Sequence, residues 1–196
     1  MSGREEWERR HRARPERGAP SEFVARHVAR LAHTSAGGAA LDVACGAGRH
    51  SALLVEHGFR TFALDRSVAA CKRVAAEIPG VVAVVGDALA LPFADARFAV
   101  IVVTSFLERA IFPRLLDLLA PGGLLLAETF LVAQHDATGH PRREWCLAPG
   151  ELVKLCTTSG RRVAVVDARE GPVATPGGTQ HLASVAVASV INLPTG

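Results

Sequence analysis

Asp42, Asp65 and Asp87 are the residues whose type and spacing first suggest chemistry, because each ends or borders an apolar run. After the first run comes a turn of small residues, in "ALDVACGAGRHS" (Ala40 to Ser51). Gly46 and Gly48 give that turn backbone freedom. A helix start just beyond it would present free N–H groups to a ligand. Asp65 follows Gly48 by seventeen residues, where a carboxylate can accept two hydrogen bonds from a ribose diol. That feature suits either a dinucleotide or an adenosine cofactor, with Asp65 as a cap of the next helix the bland alternative. The dinucleotide pattern G-x-G-x-x-G/A, however, meets Ser51 at its third position. Three carboxylates on one sheet edge would also repel a pyrophosphate. A sulfonium cation with an amino-acid tail is not repelled. The residues therefore favour S-adenosylmethionine over NAD.

The elements that must position these groups follow from periodicity. Ser21 is placed to cap a helix with the apolar face Phe23, Val24, Val28 and Leu31, ended by Gly37-Gly38. Strands are expected at about 40–45, 60–64, 81–85, 98–104 and 122–130, with helices at about 49–57, 67–78 and 108–119. This alternation predicts an α/β fold with a parallel sheet covered on both faces. The rhythm breaks at "VAQHDATGHPRREWC", a polar insertion over 131–148. A helix restarts in "APGELVKLCTTSG", and strands at 162–168 and 181–192 flank a Gly/Pro loop. A connection that short forces the last two strands to run antiparallel. The expected organisation is a charged tail, 1–19, and a single domain, 20–196.

Composition excludes several classes. Arg4, Arg9, Arg10, Arg12, Arg14 and Arg17 stand against Glu5, Glu6, Glu8 and Glu16, so the first eighteen residues carry +2 of the net +3. The rest is nearly neutral, unlike the clustered basic face of a nucleic-acid binder. Cys45, Cys71, Cys146 and Cys156 are far apart, without metal-ligand or disulfide spacing, so free thiols and no metal are expected. The N-terminus lacks the apolar core of a signal peptide. Asp117 and Pro121-Gly122-Gly123 interrupt the most apolar stretch, so no membrane span is expected. A cytoplasmic protein is the resulting expectation. Oligomeric state is not legible.

"LDVACGAGRHS", "ALDRS", "GDALALPF", "FAVIVVTSF" and "LAPGGLLLAETF", in this order, resemble a class I S-adenosylmethionine-dependent methyltransferase over about residues 20–192. "ETF", "GHPRREWCLAPGEL" and "QHLASVAVA" resemble the small bacterial branch related to the tellurite-resistance methyltransferase TehB. The resemblance implies a Rossmann-like, doubly wound sheet of seven strands in order 3-2-1-4-5-7-6, strand 7 antiparallel. It implies that Asp42, Ala44, Gly46 and Gly48 surround the methionine part of the cofactor. Asp65 would hold the ribose, Arg66 line the adenosine site, and Asp87 and the N–H of Ala88 meet the adenine. Thr104 and Ser105 would border the methyl group. Ala44 replaces a usual glycine, and Phe106 and Glu108 replace a Tyr and a His common in the branch.

Methyl transfer needs alignment and exclusion of water more than a fixed catalytic set, and no catalytic residue is assigned. The acceptor is expected to be a small molecule, with a soft sulfur, selenium or tellurium nucleophile implied by the branch. Its pocket would draw on Phe106, Glu128, His135, Arg142, Arg143 and Trp145. His135 could take a proton, and the two arginines could pair with an oxyanion. The blander readings are a loop histidine, surface charge and a loop anchor. A binder without turnover and an NAD-dependent oxidoreductase are the competing functions.

Overall fold

The computed structural model describes residues 17–35, 37–158 and 160–190. The charged stretch 1–19 therefore lies outside the described residues except for 17–19, as do Ile191 and Asn192 of the last expected strand. In chain order the elements are α1 (Glu22–Ser35), β1 (Ala39–Val43), α2 (Arg49–Glu56), β2 (Arg60–Asp65), α3 (Val68–Glu77) and β3 (Val82–Val85). Then come β4 (Phe98–Thr104), α4 (Phe112–Leu118), β5 (Leu119–Phe130), α5 (Val132–Thr138), α6 (Glu151–Thr157), β6 (Val163–Thr175) and β7 (Gly178–Ser189). Short 3₁₀ turns stand at Ala88–Ala90, Arg109–Ile111 and Arg143–Trp145.

The sheet order is β3-β2-β1-β4-β5-β7-β6. β1 to β5 pair in parallel, and β7 runs antiparallel to both β5 and β6. This is the doubly wound order expected above. Strand order reverses between β1 and β4, and ligands of open α/β sheets bind at such a switch point, beyond the carboxyl ends of the strands.

Side chains that alternate along each strand build one core on each face. Leu41, Ile101, Leu125 and Val185 pack with Leu115 of α4 and Leu152 of α6. Ala40, Val100, Leu126 and Ala186 pack with Phe23, Val24 and Val28 of α1 and Leu53 and Leu54 of α2. Phe98 faces the first core with Ile101 and Val103 because the register shifts between Phe98 and Val100. Ser21 Oγ accepts from Val24 N at 3.4 Å, the expected cap of α1. His27 joins the buried face of α1, which its residue type did not suggest.

Boundaries differ from expectation most at three places. The helix placed at 108–119 is a 3₁₀ turn followed by α4. β5 begins at Leu119, three residues before the expected start, and contains Pro121-Gly122-Gly123. Gly123 makes this possible, since a Cβ there would lie 2.6 Å from the Phe98 carbonyl. The Gly/Pro loop of 169–180 is mostly strand, because β6 and β7 extend as a hairpin down to the Thr175↔Gly178 pair. β6 is exposed on much of both faces and bulges between Val165 and Asp167. Its sequence therefore lacks the alternation that marks a half-buried strand.

Candidate active site at the sheet edge

The turn after β1 is fastened to the end of β2. Cys45 N donates to Leu64 O at 3.0 Å, Gly46 N to Asp65 Oδ2 at 2.9 Å, and Gly48 N to Cys45 O at 2.9 Å. Asp65 Oδ1 accepts from Ser67 N at 2.8 Å. The cap of α3 is Ser67, whose hydroxyl accepts from Ala70 N at 3.2 Å. Asp65 is thus a brace between turn and strand, and each of its oxygens keeps a lone pair for a further donor. Ala44 has φ 54°, in the left-handed region, so the position takes a glycine conformation without a glycine. Gly48 has φ 78°, and a Cβ would lie 2.8 Å from both Ile78 Cδ1 and Val74 Cγ2. Glycine lets α3 pack against the turn.

Asp42 is 2 % exposed and accepts from Ser51 Oγ at 2.6 Å. Ser51, where a dinucleotide site would place its third glycine, instead holds this carboxylate. Burial pushes the Asp42 carboxyl up to about 7, against the opposing pull of the Ser51 bonds and the Arg49 charge. Cys45 is buried beside it, and burial raises its thiol well above the ordinary range, as suits an inert filler. Arg66 is exposed after β2. Asp87 is exposed and caps the turn Ala88–Ala90, accepting from Leu89 N at 3.0 Å, while Ala88 is buried.

Across the switch point, Thr104 ends β4 and Ser105 follows with φ 52°. Ser105 N donates to Glu128 O at 2.8 Å, joining β4 to β5 past the last paired residues. Non-glycine left-handed residues thus border the crevice on both sides, at Ala44 and Ser105; Ala96, outside it, is the other among the described residues. His50 lies beneath, 2 % exposed. Its Nε2 accepts from Ser21 N at 3.0 Å, so in the neutral ring the proton sits on Nδ1, which donates to Thr104 Oγ1 at 3.2 Å. Burial and the adjacent Arg49 hold its pKa down, to about 3.

The expected acceptor residues form two groups. Phe106 packs on the core, and Glu128, paired with Thr104 in the β4–β5 register, accepts from Ser184 Oγ at 2.8 Å. His135, Arg142, Arg143 and Trp145 belong to the insertion. His135 Nδ1 donates to Pro141 O at 2.8 Å, leaving a lone pair on Nε2 of the neutral ring. Arg143 pairs with Asp136 at 2.5 Å. The Arg142 guanidinium lies 5.1 Å from the Trp145 ring centroid, and its Nη1 is 3.7 Å from Glu144. The insertion follows β5 closely: Val132 N donates to Leu147 O and Leu147 N to Phe130 O, each at 2.9 Å.

Sequence reasoning missed Arg49, Ser51, Arg109 and Gln134. Arg109 donates to Glu151 at 2.6 Å, Cys146 O at 3.0 Å and Glu144 O at 3.2 Å, tying the segment after β4 to the insertion. Gln134, buried in α5, accepts from His181 N at 2.8 Å. Only Arg49 carried a usable signal, as the first helical residue after the glycine turn. Glu108, which departs from the branch pattern, caps the following turn through Ala110 N at 3.4 Å.

Comparison with known proteins bears on this edge. A family model described as a methyltransferase domain matches residues 40–123, from β1 through the start of β5. No curated protein sequence matches the chain. Among solved structures, a chain in complex with the Haloferax volcanii Trm112 methyltransferase activator shares 17% identity. It superposes over 98% of this chain and 99% of that chain, with a TM-score of 0.72. A Methanosarcina mazei SAM-dependent methyltransferase shares 20%, over 82% of this chain and 97% of that one, at 0.66. The 1,6-didemethyltoxoflavin-N1-methyltransferase of Burkholderia thailandensis, solved with its substrate and S-adenosylhomocysteine, shares 19%, over 87% and 80%, at 0.61. S-adenosylmethionine is the cofactor that goes with this domain and this fold. Over residues 40–123 the chain matches the methyltransferase domain, and its fold is that of the class I S-adenosylmethionine-dependent methyltransferases.

Proposed function

We propose that the chain is a methyltransferase that binds S-adenosylmethionine at the switch point and alkylates a small-molecule acceptor. One observation carries this reading: two buried carboxylates, Asp42 and Asp65, flank the Gly46–Gly48 turn at the ends of β1 and β2. Their chemistry fits the cofactor. Asp65, with a lone pair left on each oxygen, accepts the ribose hydroxyls, and Asp42 faces the cationic methionine part. A pyrophosphate would meet both charges. Arg66, Asp87 and the Ala88 N–H border the adenine. When bound, the cofactor supplies a methyl group on a sulfonium, already a good leaving group.

The chain's residues then orient the acceptor, exclude water and accept a proton where the acceptor carries one. Phe106 and Trp145 offer apolar walls, and Glu128 of β5 stands beside Thr104. His135 Nε2 is the lone pair available for a proton. Arg142 and Arg143 pair with an anionic acceptor by giving up exposed partners, Glu144 and Asp136, at little cost. A soft sulfur, selenium or tellurium nucleophile is the acceptor class that the branch resemblance supports.

Calorimetry with S-adenosylhomocysteine tests the cofactor site, and the absence of micromolar binding would overturn it. Incubation with S-adenosylmethionine and a panel of thiols, selenite and tellurite tests turnover. A cofactor-dependent methylated product is expected, and none across the panel argues against the soft-acceptor class.

A further inference from the structure

A cleft of about 290 Å³ opens between α1 and β6, away from the crevice. Its floor, Leu124, pairs with Val100 in the β4–β5 register, whereas Glu128 pairs with Thr104 at the active edge. At about 3.3 Å per residue, the floor lies about 13 Å from that edge, toward the amino ends of the strands. Leu31 and Thr34 line the cleft from the last turns of α1, and Val166 from β6. The β6 bulge shapes this wall. Val165 pairs with Val187, so an unbroken register would set Val166 opposite Ala186, yet Asp167 takes that place. Ala186 belongs to the core beneath α1, so the extra residue turns the Asp167 carboxylate onto the α1 face. Val166 is left 55 % exposed at the cleft.

The charge of Asp167 is already met. Its Oδ2 accepts from Arg26 Nη2 at 2.8 Å and His27 Nε2 at 3.1 Å, and Arg169 Nε stands 3.5 Å from Oδ1. Thr34 gives its O–H to Leu31 O at 3.2 Å. Arg30 lines the cleft and makes no ion pair with any described residue. Arg26 and Arg169 thus more than offset the one carboxylate, and the Arg30 guanidinium is left over beside an apolar lining. A guanidinium fork matches a planar carboxylate, and Leu31, Leu124 and Val166 match a hydrocarbon body. A bare phosphate would use the arginine and leave that lining in water. We propose that this cleft binds a small organic monocarboxylate, its carboxylate on Arg30 and its apolar body against Leu31, Leu124 and Val166. The site is distinct from the cofactor crevice and does not depend on the cofactor reading above.

The test is a nuclear magnetic resonance titration of the full chain, at constant ionic strength, with hexanoate, 1-hexanol and acetate. Hexanoate should shift the amides of Leu31, Thr34 and Val166 saturably. Hexanol, which lacks the charge, and acetate, which lacks the body, should each bind at least about tenfold more weakly. Arg30→Gln should weaken hexanoate on the order of 10- to 100-fold, as expected for a charge-assisted pair, and leave hexanol within about twofold. Val166→Glu sets a carboxylate against the cleft, should also weaken hexanoate, and serves if the glutamine variant fails to fold. Hexanol binding as tightly as hexanoate would overturn the proposal, since the charge would then count for nothing. Acetate binding as tightly as hexanoate would overturn it too, leaving only a surface arginine. So would an absence of saturable shifts at these three amides, or shifts confined to the Gly46–Gly48 turn and Thr104.

Discussion

Replacing Asp42 by Asn should abolish a loss of stability that the protein suffers as pH rises from about 4 to about 7. The carboxyl is buried, and its pKa rises from the ordinary 3.8 to about 7 in the folded protein. Between those values the native state holds a proton that the unfolded state has released. Stability must therefore fall as pH rises from about 4 to about 7, then level off. A shift of about 3 pH units, at about 1.36 kcal/mol each, sets the scale at about 4 kcal/mol. Asn cannot ionise, yet its carbonyl oxygen can still accept from Ser51 Oγ, so the variant lacks this slope. The constant cost of burying the extra amide N–H shifts the whole curve and leaves its slope alone. Urea denaturation of both proteins without ligand, from pH 4 to 8.5, reads the difference directly. Asp42→Asn minus wild type should climb by about 4 kcal/mol across that range, most of it below pH 7. A flat difference, or one that falls, would refute the assignment of a raised pKa to burial at this site.

His50 should act on the acid side. Its folded pKa, about 3, lies below the ordinary 6.5, so stability is lost as pH falls from 6.5 toward 3, and His50→Gln should remove that loss in acid denaturation. Gly48→Ala meets both a left-handed φ and two contacts at 2.8 Å, and should cost roughly 2–5 kcal/mol by urea midpoint. Ala44→Gly relieves the φ of 54° at the expense of chain entropy, so a gain of up to about 1 kcal/mol is expected; a clear loss would show that the Ala44 methyl packs usefully. Arg109→Ala should speed hydrogen exchange in the 131–147 insertion while leaving β1 to β4 protected, and uniform loosening would contradict its role as a local tie.

The parts legible in the sequence are those set by near neighbours. Strand and helix periods, the Gly46–Gly48 turn, the Ser21 cap and the acidic ends of β1 and β2 can all be read along a window of a dozen residues. The antiparallel ending followed from a connection too short to cross over. Boundaries failed where partners overrode local preference. Pro121-Gly122-Gly123 reads as a turn, yet this segment lies in a strand, with Leu119 paired to Phe98 and Gly123 against the Phe98 carbonyl. β6 reads as a loop past Ala168 because it carries Gly171 and Pro172 and buries neither face, yet it pairs with β7 throughout.

The site divides along the same physical line. Residue type and spacing were enough to nominate Asp42, Asp65 and Asp87 and to prefer a cationic adenosyl ligand, because charge and strand ends are properties of position along the chain. What each carboxylate does depended on contacts that order cannot show. Asp65 became a brace for Gly46, Asp87 a cap, and Asp42 a buried acid held by Ser51. Arg49 met Ser105 across 56 positions, and His50 met Thr104 across 54. Burial and distance between remote segments set protonation and direction. Those two quantities exist only once the sheet has brought β1 and β4 side by side.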